Sequence, residues 1–353
     1  MMLETLGPRL DFPSYDEVAR RDPLKIDQAM RILPELNAEG DVKGLEVVTR
    51  EALEESQRQV NMSQTDALAI IRDMDFLASS LLRHEVHPFE AMPELEAELL
   101  RVSEAAKTVP RGTVFTYTAA NPAGDRRRSF TGTPEEEVFI DAVSRSIVAL
   151  DGAVDNIGNI STYGRESSLV AALNDSGVAM DEMVRSIIEV KRTVTPEFFS
   201  SQMRPYFESL TIGDKKYTGS GGAQIQLVAI DFMLWGCEEQ DPDYLAFFAE
   251  NVGYLTPVQQ RAIENYLENN GDRSVVSLIT QEPEMGDDSR QAALDLLRKI
   301  RKFRYPHRKI AQDNFKLRPD DAVGSGSYKP DILDVLIDKT ERAIARVEGS
   351  RHE

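Results

Sequence analysis

The chain has 353 residues, enough for about two domains of ordinary size. Acidic residues outnumber basic ones 60 to 41, giving a net charge of −19 and a pI near 4.8. That balance repels phosphate backbones and anionic lipid, which argues against a general nucleic-acid or membrane-surface binder. No run approaches the roughly 18 apolar residues of a membrane span, and Met1 to Glu17 lacks the layout of a signal peptide. One cysteine, Cys237, excludes an intramolecular disulfide and any Cys-cluster metal site. With 41% hydrophobic residues and a mean hydropathy of −0.37, the expectation is a cytoplasmic globular protein with a sizeable core.

Helical periodicity dominates from the N-terminus onward. An apolar helix carrying Met74, Phe76, Leu77, Leu81 and Leu82 ends at His84 and His87, which read as a polar helix end rather than a metal pair. Thr113 to Thr118 alternates β-formers and reads as a short strand. The Thr118–Arg128 segment, rich in Ala, Asn, Pro, Gly and Arg, is the best boundary, dividing an N-terminal helical domain (1–128) from a larger C-terminal one (129–353). Thr133-Pro134-Glu135-Glu136 and Thr256-Pro257-Val258-Gln259 each place a hydroxyl at N-cap, proline at N1 and an acid or amide at N3, and Thr195-Pro196-Glu197 opens a helix similarly. Leu210 to Tyr217 folds back through Gly213-Asp214 as a hairpin, and Ile225 to Trp235 is apolar almost all round, as in a helix buried on every side. The fold class is mainly α with minor β hairpins.

Chemistry is sparse. Between the hairpin and the buried helix, Thr218 to Gln224 is Gly-rich but fits neither the Rossmann nor the P-loop pattern, and alone reads as a turn. No zinc-protease or nucleophile-elbow motif is present, and Cys237 reads as a small hydrophobe. His307 differs from the other histidines. It completes an apolar stripe (Ile300, Phe303, His307, Ile310, Asn314) at spacings of three and four, so its imidazole projects from the buried face of a helix that Pro306 is expected to bend. Two readings stand. One is a satisfied core histidine on a helix with a solvated basic side; the other is an axial ligand to haem iron, with nearby guanidiniums for the propionates. A second Gly/Ser loop, Arg318–Lys329, precedes the last helix and reads as a lid or a linker.

Several segments, taken in order, resemble a known family. Phe198-Phe199 with Arg204-Pro205-Tyr206, the Gly-rich turn into a helix ending Leu234-Trp235-Gly236, Phe303 to His307, and Gly324-Ser325-Gly326-Ser327-Tyr328 resemble the indoleamine 2,3-dioxygenase superfamily. Met74-Asp75-Phe76 through Arg83-His84, Asn121-Pro122 and Ser129-Phe130-Thr131-Gly132 extend the likeness over nearly the whole chain to its pyrrolnitrin-pathway branch, the monodechloroaminopyrrolnitrin synthases.

The resemblance implies a helical fold binding haem b, with His307 as the proximal iron ligand and Arg304 paired with a propionate. It implies Arg204 on the substrate carboxylate, Phe198 or Phe199 as an aromatic wall, and Gly221 and Gly222 over the distal face. Ser325, Ser327 and Tyr328 match the loop that closes over the substrate, with Ser325 its catalytic member. Phe315 also falls among the substrate-binding positions and departs from the family's tyrosine, removing a hydroxyl.

The implied activity is a haem-dependent oxidation of L-tryptophan or a derivative by O2 in secondary metabolism. The same fold oxidising another amino acid with O2 or peroxide, and a cofactor-free helical interaction protein, are the alternatives. The expected partner is a small-molecule amino acid, with no nucleic acid or membrane, and the sequence is silent on oligomeric state.

Overall fold

The computed structural model describes residues 12–220, 225–282, 285–317 and 331–349, and these are overwhelmingly helical. An N-terminal group comprises α1 (Tyr15–Ala19), α2 (Asp27–Glu39), α3 (Val42–Gln57), α4 (Gln64–Arg83), α5 (Pro88–Ala91), α6 (Glu94–Ala106) and the single turn α7 (Val114–Tyr117). Two long helices follow, α8 (Pro134–Gly158) and α9 (Glu166–Thr193). A short α10 (Pro196–Phe198) then runs into a π-helical turn (Phe199–Met203) and a 3-10 turn (Arg204–Phe207). The remainder is α11 (Ile225–Leu234), α12 (Pro242–Val252), α13 (Pro257–Asn270), α14 (Val275–Gln281), α15 (Asp287–Leu317) and α16 (Asp331–Gly349).

Among the described residues the one sheet is the antiparallel hairpin of β1 (Leu210–Ile212) and β2 (Lys215–Tyr217), with Leu210 opposite Tyr217 and Gly213 turning at φ +61. The mainly α expectation therefore holds, hairpin included. The strand expected at Thr113–Thr118 does not form. Residues 114–117 make one buried helical turn, held by a Thr113 N–H bond to Thr116 Oγ1 (2.8 Å), because no neighbouring strand is there to complete a ladder.

The C-terminal architecture is a series of long helices packed side by side, α8 against α9 and α15 against α16 antiparallel, α9 against α15 parallel. α8 packs along α9, α9 along α15 and α15 along α16, while α11 and α13 close against α8. Its apolar core is continuous with that of the N-terminal group, running from Val18 to Val347. α15 passes through Pro306 as a single helix of 31 residues, although the proline supplies no N–H to the carbonyl of Lys302. Among the described residues no helix is long and apolar enough to cross a membrane.

Helix starts follow the sequence with one instructive departure. At α13 both halves of the capping box form, Gln259 N–H to Thr256 Oγ1 at 3.3 Å and Thr256 N–H to Gln259 Oε1 at 3.0 Å. At α8 only the threonine half forms. Glu136 turns away from Thr133 and is fully buried, accepting bonds from Tyr117 Oη (2.9 Å), Ser129 Oγ (2.6 Å), Phe130 N (2.9 Å) and both Thr131 N and Oγ1 (2.7 Å each). A carboxylate removed from water finds more donors there than at a helix cap.

α4 is buried from Ala67 to Leu81 on every side, charges included. The Arg72 guanidinium reaches Asp73 (2.7 Å) and the carbonyls of Val18 and Ala120 (3.2 Å each). Arg128 closes on the same carboxylate at 3.0 and 3.1 Å and on Asp27 at 2.6 Å. Burial pushes the Asp73 carboxyl up, but the two guanidiniums outweigh it and hold the group down to about 2. Asn121 ties the 118–128 segment from within, donating to Tyr117 O and Arg128 O (2.9 and 2.8 Å). Replacing Asp73 by Ala would leave guanidiniums buried without their shared anion and is expected to cost about 3–5 kcal/mol. Urea unfolding of the Asp73→Ala protein measures this, and a loss below about 1 kcal/mol would contradict the assigned role.

Candidate functional site

α15 has two halves of different character. Up to Arg304 it alternates buried and exposed positions like any core-facing helix, whereas from Tyr305 to Leu317 it contributes no fully buried residue. Pro306, His307, Ile310, Ala311, Asn314 and Phe315 are all half-buried. Here His307 projects, one turn beyond Phe303, whose ring centroid lies 5.3 Å from its own.

His307 keeps some accessible surface yet lies deep among protein atoms. Burial, and secondarily the positive charge of Arg304, push the imidazole down to about 4, so it is neutral at pH 7 with a lone pair to offer. Among the described residues no hydrogen-bond partner engages either ring nitrogen. Nor does any group of three or more His, Cys, Asp or Glu among them have the arrangement to hold a metal ion. A neutral imidazole with an unengaged lone pair has the donor chemistry of a single protein ligand to haem iron. His84 and His87 take no part, since His84 follows the last turn of α4 and His87 precedes α5.

Arg304, assigned to a propionate by the resemblance, is 1% exposed and engaged inside the protein. It donates to Asp231 of α11 and, on α16, to Thr340 and the carbonyl of Leu336 (3.1 Å). Burial lifts the Asp231 carboxyl to about 6, with Arg304 pulling the other way. Four other cations of this segment have acidic neighbours too: Arg308 with Asp334 (2.7 Å), Lys299 with Asp181 (2.7 Å), Arg298 with Glu348 (2.9 Å) and Lys309 with Asp313.

The second wall comes from the turn after α9. Thr195 caps α10, accepting the Phe198 N–H at 3.1 Å, and the chain then widens into the π turn before Pro205. Proline lacks an N–H and crowds the carbonyl four residues back, so an α-helical ladder does not continue there. The widened i→i+5 spacing places Phe199 and Arg204 one π turn apart, a device frequent at functional sites. Phe198 and Phe199 are half-buried, and Phe199 packs against Phe139 and Phe207 at 6.0 and 6.2 Å between centroids. Ser200 Oγ lies 3.5 Å from Asn314 Oδ1, two turns along the His307 face of α15. The turn bearing Phe198, Phe199 and Arg204 thus abuts the same stripe that carries the histidine. Arg204 itself is largely buried and pairs with Glu208 at 3.1 Å.

Gly221 and Gly222, and Ser325, Ser327 and Tyr328 of the 318–330 loop, lie outside the described residues. Downstream of the Gly-rich turn, Gln226 at the start of α11 donates to Asp151 Oδ1 (2.8 Å) and Ile147 O (2.9 Å), anchoring α11 to α8.

Residues 15–352 match the family described as Monodechloroaminopyrrolnitrin synthase PrnB. The chain belongs to that family. Membership makes it an oxidative enzyme of tryptophan-derived secondary metabolism. Sequence reasoning about this synthase-family member missed the roles of Asp231 and the Asp75–Arg111 pair, whose partners are far apart in the chain, and of Glu136, whose donors lie in the turn before α8; Glu208, four residues after Arg204, carried a local signal, an i,i+4 charge pair.

Replacing Arg304 by Met leaves Asp231 buried without its counter-charge, for an expected loss of about 3–5 kcal/mol. Its carboxyl, already raised in the folded state, rises further, and a raised folded value means stability is lost as pH increases through it. The destabilisation should therefore be larger at pH 8 than at pH 5. Urea unfolding at the two pH values checks it, and an equal loss at both would remove Asp231 as the cause.

Proposed function

We propose that this protein is a haem-dependent oxygenase acting on L-tryptophan or a substituted tryptophan, with His307 as the sole protein ligand to iron. The observation that carries the reading is the neutral imidazole of His307, held deep on the C-terminal half of α15 along the stripe that the turn bearing Phe198, Phe199 and Arg204 abuts. Family membership supports the oxidative chemistry and the tryptophan-derived substrate class. Bound there, haem b supplies an iron centre able to activate O2, or peroxide, for attack on an electron-rich indole.

The chain's own residues then position and exclude. His307 stays unprotonated at neutral pH because burial and Arg304 both disfavour its charged form. Arg304 acts on the centre through the helix: its bonds to α11 and α16 fix the turn of α15 that precedes His307. Arg204 takes the substrate carboxylate, since a guanidinium offers paired donors matched to that group. Phe198, together with Phe199, which Phe139 and Phe207 back, holds the indole by its faces and keeps water from it. Gly221 and Gly222 on the haem side, and Ser325, Ser327 and Tyr328 on the amino-acid side with Ser325 catalytic, keep the roles that the family resemblance implies. A second reading keeps this site and changes the amino acid oxidised; Phe315, half-buried on the site stripe and lacking a hydroxyl, favours it.

Two measurements test the reading. Purified with haem supplied, the wild type should show a strong Soret band that is lost or shifted in His307→Ala; a band identical in both would remove His307 as ligand, and no band in either would remove the haem. Arg204→Ala should leave that spectrum intact while raising the dissociation constant of L-tryptophan by roughly 10- to 100-fold, the effect of losing one charge-assisted contact. Unchanged affinity would take Arg204 out of the site.

A further inference from the structure

Glu208 follows the 3-10 turn that begins at Arg204, and its Oε1 lies 3.1 Å from Arg204 Nη1. The two side chains differ sharply in surroundings: Arg204 is 10% exposed and Glu208 47%. An i,i+4 pair on an ordinary surface contributes little and needs no support. This one is supported from beneath. The carbonyl of Glu208 accepts a bond from Arg111 Nη2 at 2.8 Å, and Arg111 is itself held by Asp75 Oδ1 (2.9 Å) and Ser79 Oγ (3.2 Å) of α4. Arg111 and Asp75 are 1% and 5% exposed, and a Cβ at the adjoining Gly112 would collide with the Asp75 carboxylate. A buried charge pair in the N-terminal group therefore fixes the backbone that carries the Glu208 carboxylate beside Arg204.

We infer that Glu208 receives the α-ammonium group of the substrate while Arg204 receives its carboxylate, so that the pair reads a free α-amino acid as a zwitterion. The inference rests on the assignment of Arg204 to the carboxylate. An α-amino acid carries both charged groups on one carbon, so an anion beside the guanidinium that holds its carboxylate can reach its ammonium. Glu208 is that anion, and its partial exposure leaves it reachable. The same placement discriminates against wrong ligands. A carboxylic acid without the amine sets a second anion against Glu208, and an amine without the carboxylate leaves Arg204 unanswered by ligand.

Calorimetric titration of the protein purified with haem supplied, using L-tryptophan and indole-3-propionate, tests this without relying on turnover. The wild type should bind L-tryptophan at least tenfold more tightly than indole-3-propionate. Glu208→Gln should weaken L-tryptophan at least tenfold and leave indole-3-propionate unchanged or tighter. Equal wild-type affinities for the two ligands would overturn the inference without recourse to a variant. So would a Glu208→Gln protein of unchanged melting temperature that loses affinity for both equally, or for neither. The underlying assignment fails separately: wild type that binds no L-tryptophan, or Arg204→Ala that binds both ligands as wild type does, would sink it and the inference with it.

Discussion

The contact on which the site depends most is the ion pair between Arg304 of α15 and Asp231 of α11, both almost without solvent. A guanidinium at that depth is tolerable only where anion and carbonyl partners surround it, and here they come from two different helices, α11 and α16. Burial lifts Asp231 even with Arg304 in place, so desolvation consumes most of the pair's attraction. Such a pair contributes registry more than net stability: it admits one arrangement of three helices and penalises the rest. His307, one turn past Arg304, inherits that registry. The guanidinium that fixes the helix also helps keep the imidazole neutral.

A second set of buried charges does comparable work in the N-terminal group. Arg72, Asp73, Arg128 and Asp27 join α2 and α4 to the 118–128 segment, and Arg111 with Asp75 carries the order of α4 on to Glu208. The N-terminal group is thereby part of the site's construction although it supplies none of its expected ligands. The aromatic cluster repeats the connection in apolar form. Phe130 stacks on Tyr206 at 4.4 Å between centroids, and Tyr117 meets Phe207 edge-on at 5.4 Å, so the turn carrying Arg204 rests on residues from both sides of the expected domain boundary.

Much of this was legible in the sequence because it is local. Period and caps placed the long helices, Gly213-Asp214 placed the hairpin, and the stripe Ile300, Phe303, His307, Ile310, Asn314 put the histidine on the inner face of its helix. What was not legible depends on partners remote in the chain. The β-formers of 113–118 became a helical turn since a strand needs a neighbour and none lies beside them. Glu136 deserted its cap for donors at 117 and 129–131, a choice visible only once that turn is folded over it. The buried bond from Arg304 to Asp231 joins positions 73 residues apart, beyond the reach of any local pattern.

The basic stripe of α15 illustrates how charge in a sequence differs from charge on a surface. Arg298, Lys299, Arg308 and Lys309 each have a carboxylate at salt-bridge distance, so the segment does not offset the net −19 of the whole chain as a positive patch would. A protein with that field repels anionic ligands at long range and leaves a neutral zwitterion unaffected until it is within contact distance. Recognition of an amino acid must then be short-ranged and paired, one fixed positive group and one fixed negative group at the site. Arg204 and Glu208 meet that requirement: their guanidinium is shielded, their carboxylate is partly open, and a buried clamp holds the backbone between the site and α4. The other buried pairs, Arg304–Asp231 and Arg72–Asp73, are almost without solvent and tie elements of the scaffold together.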